Sequence, residues 1–211
     1  MKSLSENQRK ILEFLLDRHD GATLEELASH LEITKTAVKE HILRIEGLGY
    51  LTYRDTKGLV GRPKRRYLLT SEGHEVFPRQ YAWLSNVLLQ QLLEDCGQQG
   101  TIKVMRTLGT KVASSMESRF RQTGSTPKLL TEITKALNEL GYRVALKQSD
   151  LRKGAVLEAT NCVYHSVAQK HPELCEFDTQ FIKQASGLDV TLETCIAKGG
   201  STCRFCLRKK S

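Results

Sequence analysis

The chain has 211 residues, 39% hydrophobic and 27% charged, which allows one large globular domain or two small ones, each with its own core. No run of 18 apolar residues occurs and the first residues are polar, so neither a membrane-spanning helix nor a secretory leader is expected, and a cytoplasmic location is. A net charge of +8 suits a polyanionic partner without specifying one.

Residues 5–18 read as a helix: Ser5 caps it, and Ile11, Leu12, Leu15 and Leu16 recur at helical spacing. Thr23 opens a second helix, with Glu26 three residues on, and Thr34 caps a third, Lys35 to Leu48. Tyr50–Tyr53 and Arg66–Thr70 read as two strands flanking the basic loop 54–65. Three helices and a basic hairpin in this order make a winged helix-turn-helix, expected to bind a double-stranded DNA operator. Lys35, Thr36, Lys39 and Glu40 are placed to face the major groove, with Arg44 toward a phosphate. The wing contributes Arg62, Lys64 and Arg65, beside Arg54, Lys57 and Arg66.

An apolar helix from Gln80 to Glu94 follows, carrying Tyr81, Trp83, Leu84, Val87, Leu88, Leu89, Leu92 and Leu93; one stripe is expected to pack on the DNA-binding unit and a second to serve as a homodimer contact. Cys96 reads as a lone thiol. Another helix spans Ile102 to Arg121, and the polar Gln122–Pro127 stretch reads as a boundary. The expected division is a DNA-binding domain at 1–78, a helical linker and dimerisation region at 79–125, and a cysteine-rich α+β sensor domain at 126–211. In the last part a helix spans Lys128 to Leu140, and strands are expected at Tyr142–Lys147 and Ala155–Ala159. Asp178–Ala185 reads as a helix or the core of one, followed by a hairpin of Val190–Ala197 and Thr202–Arg208. The fold class is therefore α+β throughout the C-terminal part.

Five of the six cysteines lie between residues 162 and 206: Cys162, Cys175, Cys195, Cys203 and Cys206. All are expected in loops or at strand ends, where they can converge. Clustered thiols in a reducing compartment point to metal or redox chemistry before disulfides. Zinc usually takes two close Cys-x-x-Cys pairs and only Cys203–Cys206 is one, whereas a [4Fe–4S] cluster accepts thiolates from separate loops. Spacing leaves a cluster, zinc, thiol redox sensing and plain buried cysteines all open. His165 and His171 read first as surface or packing residues. Lys198, Arg204, Arg208, Lys209 and Lys210 form a basic end. No phosphate loop, nucleophile elbow or paired-carboxylate signature is present, so the chain is not expected to be an enzyme.

Several motifs together resemble a known family. They are the wing run Gly61 to Gly73, Val76-Phe77-Pro78 with Tyr81, Asn161-Cys162 with Tyr164-His165, His171 to Cys175, and Gly199-Gly200 with Cys203 and Phe205. In these the sequence is similar to SufR-type regulators, winged-helix repressors of iron–sulfur cluster assembly genes. The resemblance implies a homodimer carrying a [4Fe–4S] cluster that represses suf-type operons when loaded. It places cluster ligands on Cys162, Cys175 and Cys203. Some members of that family have a further cysteine in the region corresponding to Ser186–Val190, which has none here. Cys206 is therefore expected as fourth ligand, followed by Cys195, then His165 or an external small molecule. In a regular strand Cys206 points away from Cys203, so it needs a bulge or strand end to join the set.

Overall fold

The computed structural model describes residues 4–56 and 64–209. The chain forms two compact units, Met1–Arg79 and Gln80–Ser211.

The first unit is a winged helix. Helix α1 (Glu6–Leu16) and helix α2 (Leu24–Leu31) each open on a complete capping box, Ser5 with Gln8 and Thr23 with Glu26. The Thr34 hydroxyl accepts from the Ala37 amide to start helix α3 (Lys35–Glu46). Glu32 ends α2 in the left-handed region (φ 55°), which sets the tight turn between α2 and α3. Strands β1 (Leu51–Thr56) and β2 (Lys64–Leu69) pair antiparallel, and a short helix, α4 (Ser71–His74), follows. Ile11, Leu12, Leu15, Leu27, Val38, Ile42 and Ile45 form the core with Leu51 and Tyr67. The apolar spacing of the three helices thus faces inward and leaves the opposite side of α3 in solvent.

The second unit opens with helix α5 (Tyr81–Ser115), a 35-residue run broken at Gly97, followed by helix α6 (Glu117–Arg121) and helix α7 (Thr126–Glu139). Strands β3 (Val144–Gln148) and β4 (Ala155–Ala159) lead to helix α8 (His165–Ala168) and a 3-10 turn at Pro172–Leu174. Helix α9 (Cys175–Ser186), strand β5 (Asp189–Thr194), a second 3-10 turn at Ile196–Lys198 and strand β6 (Cys203–Arg208) complete the chain. The sheet order is β3-β4-β6-β5, antiparallel throughout. Leu130, Ile133, Ala136 and Leu137 of α7 and Phe181 and Ile182 of α9 share one core with Ala155, Leu157, Phe205 and Leu207 of the sheet. These sheet residues occupy alternate positions, so both helices cover one face.

Two local expectations are revised and one is extended. The helices expected at 80–94 and 102–121 are one element with a break at Gly97, and the second ends at Ser115. The expected Asp178–Ala185 stretch is the core of helix α9, which begins three residues earlier, at Cys175. The thiols are therefore not confined to loops and strand ends: Cys175 opens a helix, and Cys206 sits within β6.

Candidate thiol pocket and nucleic-acid interface

Four thiols gather at one end of the sheet. Because β4 and β5 both run antiparallel to β6, the chain leaves β4 and β5 where β6 begins. Cys162 follows β4, Cys195 follows β5, and Cys203 is the first residue of β6. The first turn of α9 brings Cys175 to the same place, its Sγ 3.5 Å from that of Cys195. The Ile196 amide donates to Cys203 Sγ at 3.4 Å. Burial pushes the thiols of Cys162 and Cys175 up and that of Cys203 up to about 11; neighbouring Cys195 adds to each. Burial therefore favours the thiol form of Cys162, Cys175 and Cys203, and a bound cation or cationic group would favour their thiolates.

The turn carrying Cys195 is fixed by its own carbonyl, which accepts from the amides of Lys198 and Gly200. A Cβ on Gly200 would stand 2.9 Å from that carbonyl oxygen, and Gly199 has φ 89°, so both glycines are required by the turn. A cavity of about 440 Å³ lined by Leu192, Thr194, Cys195, Lys198 and Gly200 opens beside it.

One carboxylate joins the pocket. Asp178 lies three residues after Cys175, on the same face of α9. Burial raises its carboxyl to about 6, although the Tyr142 hydroxyl donates to it at 2.5 Å and opposes the rise. Its charge in turn helps push up the Cys162 and Cys175 thiols. Tyr142, Tyr164 and Phe177 stack edge to face as an aromatic wall.

Cys206, the first choice for fourth ligand, is not in this group. Regular alternation along β6 puts it opposite Val156, on the face away from Cys203 and the helices. There its sulfur would lie 3.1 Å from a Cβ on Gly154. Cys195 joins the group instead, because β5 slips register between Leu192 and Thr194, and the irregularity changes which side the following residues face. His165 is exposed at the start of α8, and Cys96 is exposed on α5. His171 is buried, and its Nδ1 has no hydrogen-bond partner among the described residues. Arg204 is on the Cys206 face, paired with Glu193 at 3.0 Å and Glu158 at 3.6 Å, so it does not offset thiolate charge.

The donor set is chemically suited to a soft metal or an iron–sulfur cluster: four sulfurs, with a backbone N–H on one of them. Among the described residues no three His, Cys, Asp or Glu side chains already stand in a coordinating arrangement. The 3.5 Å pair is near the spacing of about 3.7 Å that two sulfurs adopt around one tetrahedral zinc with Zn–S of about 2.3 Å. A cubane holds its cysteines on separate irons, so this pair must part to take one.

On the first unit, Lys35, Thr36, Lys39, Glu40 and Arg44 are all exposed on α3, with Lys35 paired to Glu25 at 2.7 Å. Lys64 is exposed on β2. Arg65 pairs with Asp55 at 3.4 Å and lies over the Tyr53 ring. Two wing arginines hold the fold: Arg66 donates to the carbonyls of Asp20 and Gly21, and Arg54 to Asp20. Lys57 and Arg62 lie outside the described residues.

A family model described as a winged helix DNA-binding domain matches residues 9–88. A second, described as L-2-amino-thiazoline-4-carboxylic acid hydrolase, matches residues 75–207. Among curated proteins none matches the chain. Two solved structures show weak likeness. The phenol-responsive sensory domain of the transcription activator PoxR with phenol is 14% identical over 61% of this chain and 73% of that one, with a TM-score of 0.43. An H-NOX protein from S. oneidensis in the Fe(II)NO ligation state is 10% identical over 96% of this chain and 99% of that one, with a TM-score of 0.43. At these values neither likeness bears on function.

Proposed function

The chain belongs to the L-2-amino-thiazoline-4-carboxylic acid hydrolase family and joins that domain to a winged helix; from this premise we propose a transcriptional regulator whose DNA affinity is set by the state of its thiol pocket. The observation that carries the reading is the convergence of Cys162, Cys175, Cys195 and Cys203 from four elements, in a chain that begins with a DNA-binding domain. The finer reading is a homodimeric repressor of suf-type genes with a [4Fe–4S] cluster. Bound there, the cluster supplies an oxidant- and iron-sensitive cross-link between otherwise separate loops. In this reading Lys35, Thr36, Lys39 and Glu40 meet base edges, and Arg44, Lys64, Arg65 and Arg62 meet phosphates. Trp83, Leu84, Val87 and Leu88, all exposed on α5, meet a second copy.

Anaerobic purification followed by iron, labile-sulfide and zinc analysis tests it. Iron and sulfide in equal amounts support the cluster. One zinc per chain, retained in air, supports the zinc-responsive alternative that the 3.5 Å sulfur pair favours. A protein that takes up neither after reconstitution overturns both.

A second reading follows from the family description: hydrolysis of a small thiazoline acid. The observation favouring it is the buried carboxyl of Asp178 beside the Cys162 and Cys175 thiols. Incubation with L-2-amino-thiazoline-4-carboxylate decides it, since consumption of the compound above a protein-free control is required.

A further inference from the structure

Helix α5 is not one rigid rod. At Gly97 the backbone takes φ 65° and ψ 176°, a conformation open essentially only to glycine. Nothing lies within 4 Å of a Cβ placed there, so the break is a matter of backbone and not of crowding. The Thr101 hydroxyl, fully buried, donates to the Gly97 carbonyl at 3.0 Å and supplies a partner at the break.

The two halves of α5 are held differently. The half after the break is clamped to α9. Gly109 packs so closely that a Cβ there would meet the Phe177 carbonyl and stand 3.0 Å from the Phe181 nitrogen. Gln180 donates to Thr110 at 3.1 Å, and Arg106 to Glu176 at 2.9 Å. This half therefore follows α9, whose first residue is Cys175. The half before the break, Tyr81–Cys96, meets the same region in a small apolar cluster, where Leu89 and Leu92 join Met105, Val167, Leu174 and Phe177. It is also the half that continues directly from the DNA-binding unit, which ends at Arg79.

Gln98, the first residue after the break, makes the polar contact between it and the turn leading into Cys175. Its Nε2 donates to Glu173 Oε1 at 3.0 Å. Glu173 is buried in the Pro172–Leu174 turn, two residues before Cys175, and its other oxygen has no hydrogen-bond partner among the described residues. A buried carboxyl group with one oxygen paired and the other without a partner is a weakly satisfied contact. We propose that Gly97 is a hinge and the Gln98–Glu173 contact its latch, so that closing the thiol pocket around Cys175 re-aims the Tyr81–Cys96 half of α5. The proposal rests on the pocket being the sensing site, and it names the residues that carry its signal.

The test uses the full chain, reconstituted anaerobically with ferrous iron and sulfide, compared with the stripped protein. DNA affinity and metal content are measured for wild type, Gln98→Glu and Gly97→Ala. Gln98→Glu sets a carboxylate against Glu173 at an exposed position. Gly97→Ala favours a straight helix. In wild type the loaded and stripped forms should differ in affinity by a factor on the order of 5–150, the ordinary range of allosteric coupling. In both variants the group should still bind while that ratio falls to about one. A wild-type ratio preserved in both loaded variants overturns the hinge and leaves the sensing pocket standing. A wild-type ratio of one with the group bound overturns the sensing reading itself, and the hinge with it.

Discussion

Asp178→Asn isolates the electrostatics of the pocket. The carboxyl rises from an ordinary 3.8 to about 6, chiefly because it is buried. An acid with a raised value in the folded state holds its proton more tightly there than in the unfolded chain. Its contribution to stability is therefore complete below 3.8 and is lost as pH rises through about 6. At about 1.4 kcal/mol per pH unit, the whole effect is roughly 3 kcal/mol, and about 2 kcal/mol of it falls between pH 4.5 and 7.5. Asparagine keeps an oxygen for the Tyr142 hydroxyl and cannot ionise. Urea unfolding of reduced, metal-free protein, followed by circular dichroism, gives the quantity directly. Between those two pH values wild type should lose about 2 kcal/mol more than Asp178→Asn, a midpoint difference of about 1 M. The same pH dependence in both proteins would refute the placement of a buried carboxyl among the thiols.

Further outcomes follow from the same contacts. Cys195→Ser should abolish stoichiometric iron or zinc retention while Cys206→Ser keeps it, read by metal analysis after identical reconstitution. Arg66→Ala should cost the winged unit about 1–3 kcal/mol in thermal unfolding, because it removes a charged donor from the Asp20 and Gly21 carbonyls. Lys64→Ala should leave stability within about 0.5 kcal/mol and reduce the slope of log affinity against log salt by about one in a DNA-binding titration. Gly109→Ala should destabilise the second unit by about 1–3 kcal/mol or more, since the new methyl meets the backbone of α9.

How much of this the sequence discloses depends on how local the determinant is. The capping residues Ser5, Thr23 and Thr34 are read directly, because a cap involves side chains and amides three residues apart. The opposed faces of Cys203 and Cys206 also follow from strand alternation. The place of Cys195 does not, since it depends on a register slip in β5 that leaves no mark in residue type. Nor is Cys175 visible as a helix start: α9 grows out of a 3-10 turn begun at Pro172, with no side-chain cap to announce it. A gap between two helical stretches around Gly97 is legible, but its dihedral angles and its Gln98–Glu173 contact arise from packing against distant residues. Wing charge is legible as charge alone. That Arg54 and Arg66 serve the carbonyls of the α1–α2 turn becomes apparent only once the strands pair.

The most direct measurement is the affinity of the full chain for its DNA site before and after anaerobic removal of whatever the thiol pocket binds, with iron, sulfide and zinc counted in the same samples. Stoichiometric loading, together with an affinity change on removal that Cys195→Ser no longer shows, is the expected result. An affinity that stays the same while the bound metal is lost would contradict control by the pocket.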